Sequence, residues 1–239
     1  MESLEQNIAS QRLTIIGTTH VDRSSIERVR KTISEGHPSV VAVELDDERL
    51  WALRDPHRDR LISPIRSGPL AWLMALLERS VGSLTGVFPG SEMLEAVNEA
   101  QRVGAQVAMI DKPIDTILSD LSTLPLREKL RIGTDIVVAL LAIGTRRKSV
   151  QPENTSLNAL MEEFDAKYPT LSRILVRDRD KHMAGMLRGI LQSCTGQVVA
   201  VVGLGHVRGI MQYLNMGQRA TSGEMYGIRY EWTLVVFPR

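Results

Sequence analysis

Val198-Val-Ala-Val-Val-Gly203-Leu-Gly-His206 is an unbroken apolar run that ends in glycine and then histidine. It lacks the in/out alternation of a half-exposed strand, as expected of a strand covered by helices on both faces. The same design stands near the other end of the chain, where Leu13-Thr-Ile-Ile16 leads into Gly17-Thr-Thr-His20. Each unit reads as a buried strand that stops at a tight turn, with an imidazole beyond its carboxyl end. Val40–Leu45 and Gln106–Asp111 are two further runs of this kind, and Tyr230–Phe237 reads as a fifth strand pairing at an edge.

Helical spacing fills the intervals. Ser24 or Ser25 is placed to cap a helix with Ile26, Val29 and Ile33 on one face. Ser91 opens another, with Met93, Leu94, Val97, Ala100 and Val103 at helical spacing and Gly104 as its stop. Leu171–Gln192 reads as one long helix and His206–Met216 as the last. The pattern predicts an α/β fold, a mainly parallel central sheet flanked by helices. Residues 112–197 show no strand and read as a helical insertion or cap within a single domain spanning 1–239, with a polar break around Lys148–Thr155.

Composition excludes several function classes. The net charge of +1 and 4% aromatic content argue against a nucleic-acid partner. The single cysteine, Cys194, excludes an intramolecular disulfide and a cysteine-rich zinc site, and reads as structural. No apolar stretch reaches the ~20 residues needed to span a bilayer, and no secretory leader is evident, so the chain as given reads as cytoplasmic. The apolar segments Leu70–Leu77 and Ile136–Ile143 read as core or oligomer interface.

Ligands of open α/β sheets bind beyond the carboxyl ends of the strands. The residues there are His20, Glu44, Asp111 and His206, all metal-competent or proton-transferring. Each also has a plainer role. Either histidine could cap a helix; Glu44 could simply pair with Arg49; Asp111 could cap the helix after Lys112-Pro113. A helix start lowers a histidine pKa, so His206 is expected neutral, the form that binds a metal. Asp178-Arg-Asp-Lys-His182 reads as a solvated charge run with His182 exposed. Gly203–Gly209 matches a dinucleotide loop poorly, its third glycine being offset by one.

Taken together, Gly17-Thr-Thr-His20-Val, Val43-Glu44-Leu-Asp46 with Arg49, Asp111-Lys-Pro113, Arg179-Asp180-Lys-His-Met183 and Gly203-Leu-Gly-His206-Val make the chain resemble the TraB/PrgY family, relatives of the TIKI proteins. The resemblance covers nearly the whole chain. It implies a metal-dependent hydrolase, a peptidase acting on small peptides, and for PrgY-like members a link to pheromone shutdown. It implies active-site roles for His20, Glu44 and His206, with Arg179 and Asp180 in a charged motif; Asp178 stands where a glutamate is expected. Family members often continue into a membrane-spanning region, so the chain could be the soluble part of a membrane-anchored protein. On this reading His20, Glu44, His206 and Asp111 would hold Mn, Co or Zn. A carboxylate outside the ligand set would act as general base, and Arg49 or Arg179 would meet an oxyanion or a substrate carboxylate. The alternatives are a non-catalytic protein that sequesters a peptide or small ligand, and an interaction module that uses the helical insertion.

Overall fold

The computed structural model describes residues 12–18, 23–54, 90–144, 157–219 and 234–235. The chain divides into two compact units, one of Met1–Ile114 with Arg179–Arg239 and one of Asp115–Asp178.

The first unit carries the sheet. Strands β1 (Leu13–Thr18), β2 (Val40–Val43), β3 (Gln106–Met109), β4 (Val198–Gly203) and β5 (Leu234–Val235) lie in the order β1-β4-β2-β3-β5. The first four are parallel, and β5 closes one edge antiparallel to β3. An α/β fold is what the continuous apolar runs predict. β4, nearly last in the chain, sits between β1 and β2, with Val201 beside both Ile16 and Val43.

Helices α1 (Arg23–Gly36), α2 (Asp47–Arg54) and α3 (Ser91–Val103) cover one face. There Val29, Ile33, Met93 and Val97 pack with Val41, Val43, Val199 and Val201. Helices α8 (Asp178–Ser193) and α9 (Leu204–Arg219) cover the other. Met183, Leu187, Ile190 and Ile210 pack there on Val40, Ala42, Val198, Ala200 and Val202. Alternate residues of a single strand thus enter two different cores, and both must be apolar. α3 ends as expected, with Gly104 in the left-handed region at φ 77° bonding back to Ala100 and Gln101. α1 does not begin as expected: it starts at Arg23, and Ser25 is buried inside it rather than capping it.

The second unit is helical among its described residues, with α4 (Ile114–Ser122) leading in, then α5 (Leu126–Gly144), α6 (Leu157–Lys167) and α7 (Pro169–Ser172). The α5 residue Glu128 caps α7 from a distance, its two oxygens accepting the N–H groups of Thr170 and Leu171 at 3.0 Å each. The helical stretch expected from Leu171 is continuous through Ser193 but not uniform. A π-helical turn, Arg173–Arg177, interrupts it immediately before α8. The polar break at Lys148–Thr155 and the apolar segment Leu70–Leu77 lie outside the described residues. Among the described residues no helix is long and apolar enough to cross a membrane.

Candidate functional site

The carboxyl rim of the sheet is assembled by continuing the backbone ladder past the strand ends. Glu44 N–H bonds to Val201 O at 3.1 Å, and Asp111 N–H to Leu45 O at 3.2 Å. These bonds bring Glu44 and Asp111 onto adjacent tips. Arg179 and Asp180 reach the same rim from the first turn of α8, and His206 from the first turn of α9. His20 lies outside the described residues.

Glu44 is buried, and each of its oxygens is occupied. Oε2 accepts Gly203 N–H at 2.6 Å. Oε1 accepts Arg179 Nη2 at 2.5 Å and lies 3.2 Å from His206 Nε2. Burial would raise its pKa, but the His206 and Arg179 cations and the Gly203 N–H more than reverse this and hold it below the ordinary carboxylate range. Arg49 does not pair with Glu44, as the plainer reading had it; Arg179 does.

Asp111 organises the cations. Arg179 grips it as a fork, Nε to Oδ1 at 2.9 Å and Nη2 to Oδ2 at 2.6 Å, and Arg49 Nη2 bonds to Oδ2 from the other side. Despite burial, these two guanidiniums keep the carboxyl low. Arg179 is correspondingly raised by Asp111 and Glu44, against the opposing effect of its burial. Asp111 is not the cap of the next helix. That role falls to Asp46, whose Oδ2 accepts Ile114 N–H at 2.5 Å while its Oδ1 caps α2 through Arg49 N–H at 2.8 Å. Nothing in the sequence singled Asp46 out beyond its place in the resemblance; the signal available was an acid immediately before the helical Asp47-Glu-Arg.

His206 lies between two carboxylates. Its Nδ1 is 2.6 Å from Asp180 Oδ1 and its Nε2 faces Glu44. The expectation of a neutral imidazole is overturned. Burial favours the neutral ring, yet the hydrogen bonds to Asp180 and Glu44 push the pKa up to about 9. A helix terminus contributes about 0.3–1 kcal/mol at most sites. Each charge-assisted hydrogen bond contributes about 1.5–3 kcal/mol, so the carboxylates win. Burial pushes Asp180 up as well, against the lowering influence of His206 and Arg179. The charge run is therefore not a solvated face: Asp180 is buried, Arg179 is nearly so, and His182 is half-buried.

One glycine of each of the first and last motifs serves this packing. A Cβ on Gly209 would strike the Asp180 carboxylate, and one on Gly17 would come within 2.8 Å of Leu204 Cδ1. Glycine at both positions lets α9 settle against β1 and against Asp180.

Two atoms here suit a divalent ion. Ligands held about 2.0–2.2 Å from a tetrahedral or octahedral metal lie roughly 3.0–3.5 Å from one another. Glu44 Oε1 and His206 Nε2 are 3.2 Å apart. Asp180 on Nδ1 is the carboxylate that commonly backs a metal-bound histidine. Asp111 fits a ligand role less well than Glu44, because guanidiniums engage both its oxygens whereas Arg179 engages only one of Glu44's. Among the described residues no group of three or more His, Cys, Asp or Glu is arranged around one point.

Known proteins are similar to nearly the whole of this assembly. An uncharacterized protein of Methanocaldococcus jannaschii is 32% identical over 215 residues, covering 84% of this chain and 52% of its own length. TraB domain-containing proteins of Bos taurus and Homo sapiens are 29% and 27% identical, each over 83% of this chain and 61% of theirs. The chain thus spans about half to three-fifths of the length of these relatives. A model of the TraB/PrgY/gumN family matches residues 5–220, a span that contains every rim residue described above, and the chain belongs to that family.

Proposed function

We propose that the protein is a hydrolase, a peptidase acting on small peptides, whose reaction centre is this rim. In that reading Glu44, His206 and His20 hold a divalent metal, Mn, Co or Zn. The observation that carries it is the 3.2 Å approach of Glu44 Oε1 to His206 Nε2, with Asp180 behind the imidazole at 2.6 Å. When bound, the metal would lower the pKa of a water and polarise a scissile carbonyl.

The chain's own residues do the rest. Asp180 fixes the imidazole plane through Nδ1 and aims Nε2 at Glu44. Gly203 N–H holds the other Glu44 oxygen, so this carboxylate has one orientation. Arg179, locked in place by Asp111, keeps a positive charge beside Glu44 that can meet the negative charge growing on a carbonyl oxygen. A protonated His206 must lose its proton to bind a metal, so metal uptake near pH 7 releases about one proton.

The test is calorimetry of Mn, Co and Zn binding in buffers of different ionisation enthalpy, together with chelator-sensitive cleavage of short peptides. Stoichiometric uptake with proton release, lost in His20→Ala and His206→Ala, is the expected result. Unchanged metal content in either variant would sink it. A second reading, peptide sequestration without turnover, draws on the closure of the charges upon one another; peptide affinity that ignores both chelators and metals would favour it.

A further inference from the structure

The cations and anions of the rim differ in accessibility. The side chains of Arg49, Arg179 and His206 are 30%, 13% and 11% exposed, whereas Glu44, Asp46, Asp111 and Asp180 reach at most 8%. Each of these three cations is thus more accessible than each of these four carboxylates, although Asp47 and Glu48, beside Arg49 in the first turn of α2, are exposed acids. Of the seven, the Arg49 guanidinium offers the most surface to a ligand at the strand ends.

Arg49 is the most accessible of these groups and is also held still. Its Nε bonds to Asp46 Oδ1 at 3.4 Å, its Nη2 bonds to Asp111, and its own N–H is fixed by Asp46. An ordinary surface arginine loses about 0.5–1.5 kcal/mol of side-chain freedom when a ligand immobilises it. Two buried carboxylates have already ordered this one. A planar, pre-set guanidinium matches the two oxygens of a carboxylate, which it can engage as a fork.

We propose that the rim selects substrates bearing a carboxylate, and that Arg49 is the residue that binds it. The carboxylate is either the free carboxyl terminus of a short peptide or an acidic side chain close to the reacting bond. This deepens the hydrolase reading and rests on it only in placing the substrate at the strand ends. Arg179 and His206, less exposed, add to the attraction without reaching as far into solvent.

The test compares three short alanine peptides with the full chain by calorimetry, in chelator and again with Mn. One has a free carboxyl terminus, one is its amide, and one is the amide with a single Glu. The wild-type chain is expected to bind a carboxylate-bearing peptide at least about tenfold more tightly than the plain amide. The free acid and the Glu amide distinguish the two sources. Arg49→Gln should bring the ratio to about one. Arg49→Lys, which keeps the charge without the fork, should retain only part of the ratio, and it stands in if Arg49→Gln does not fold. A wild-type ratio near one, no binding of any peptide, or a ratio undiminished in both variants would overturn the proposal. Absence of metal-dependent cleavage would count against the hydrolase reading alone, because the affinity ratio is read without turnover.

Discussion

At Gly209 a missing side chain makes room for a carboxylate. Alanine in a helix interior normally gains about 0.5–1 kcal/mol over glycine. Here its Cβ would strike Asp180, and overpacking costs about 1–3 kcal/mol, so Gly209→Ala should destabilise. It should also part Asp180 from His206 and let the imidazole pKa fall from about 9 towards 6.5, which an NMR titration of His206 would follow. The metal-free protein should carry a matching pH signature. The folded His206 value lies above the unfolded one, so its contribution is complete below pH 6.5 and is lost as pH rises through about 9. The full gap corresponds to roughly 3–4 kcal/mol. Glu44, held low, acts oppositely: its contribution is present above 4.5 and fades as pH falls below that. Denaturant midpoints in chelator should peak between these limits; a midpoint at pH 9.5 equal to that at pH 6 would count against the His206 geometry. Glu44 and His206 were legible in the sequence because a polar residue ending a buried apolar run has few places to go. Arg179 and Asp180 were legible only through the family resemblance, because alternating charges on a helix look the same whether they face water or a buried partner.

Among the elements, the short α2 depends on one side chain. Asp46 caps it and also binds Ile114 N–H, so Asp46→Ala removes the side-chain acceptors of two backbone N–H groups at once. Loss of a cap costs about 0.5–2 kcal/mol, and the total here should be roughly 2–3 kcal/mol, measured as a shift in denaturant midpoint. Helix α8 depends on burial. Leu187 is fully enclosed against the sheet, and Leu187→Ala should cost about 2–5 kcal/mol while leaving the rim bonds of Arg179 and Asp180 in place. The strands were legible because four-residue segments such as Val40–Val43 are buried throughout and carry no polar residue. Their order was not, because periodicity reports the face a residue takes and never the neighbour a strand takes. The π-helical turn at Arg173–Arg177 was also hidden, since its composition is that of an ordinary helix.

For the whole molecule, the decisive fact is the place of β4. It bonds to β1 on one side and to β2 on the other, and it supplies both Gly203 and the approach to His206. A fragment ending before Val198 would lack the middle of its sheet. Such a fragment should show no cooperative thermal transition and no dispersed amide spectrum, and a folded one would contradict this topology. Pairings between strands so distant in sequence also predict slow refolding. The same arrangement has a consequence for the chain as it leaves the ribosome. The stretch from Val43 to Val198 takes roughly 8–31 s to synthesise at about 5–20 residues per second. Throughout that interval β1 and β2 wait without the strand that joins them, and Glu44 waits without its histidine. The rim is therefore assembled late, only once β4 and the first turn of α9 have followed the rest of the sheet.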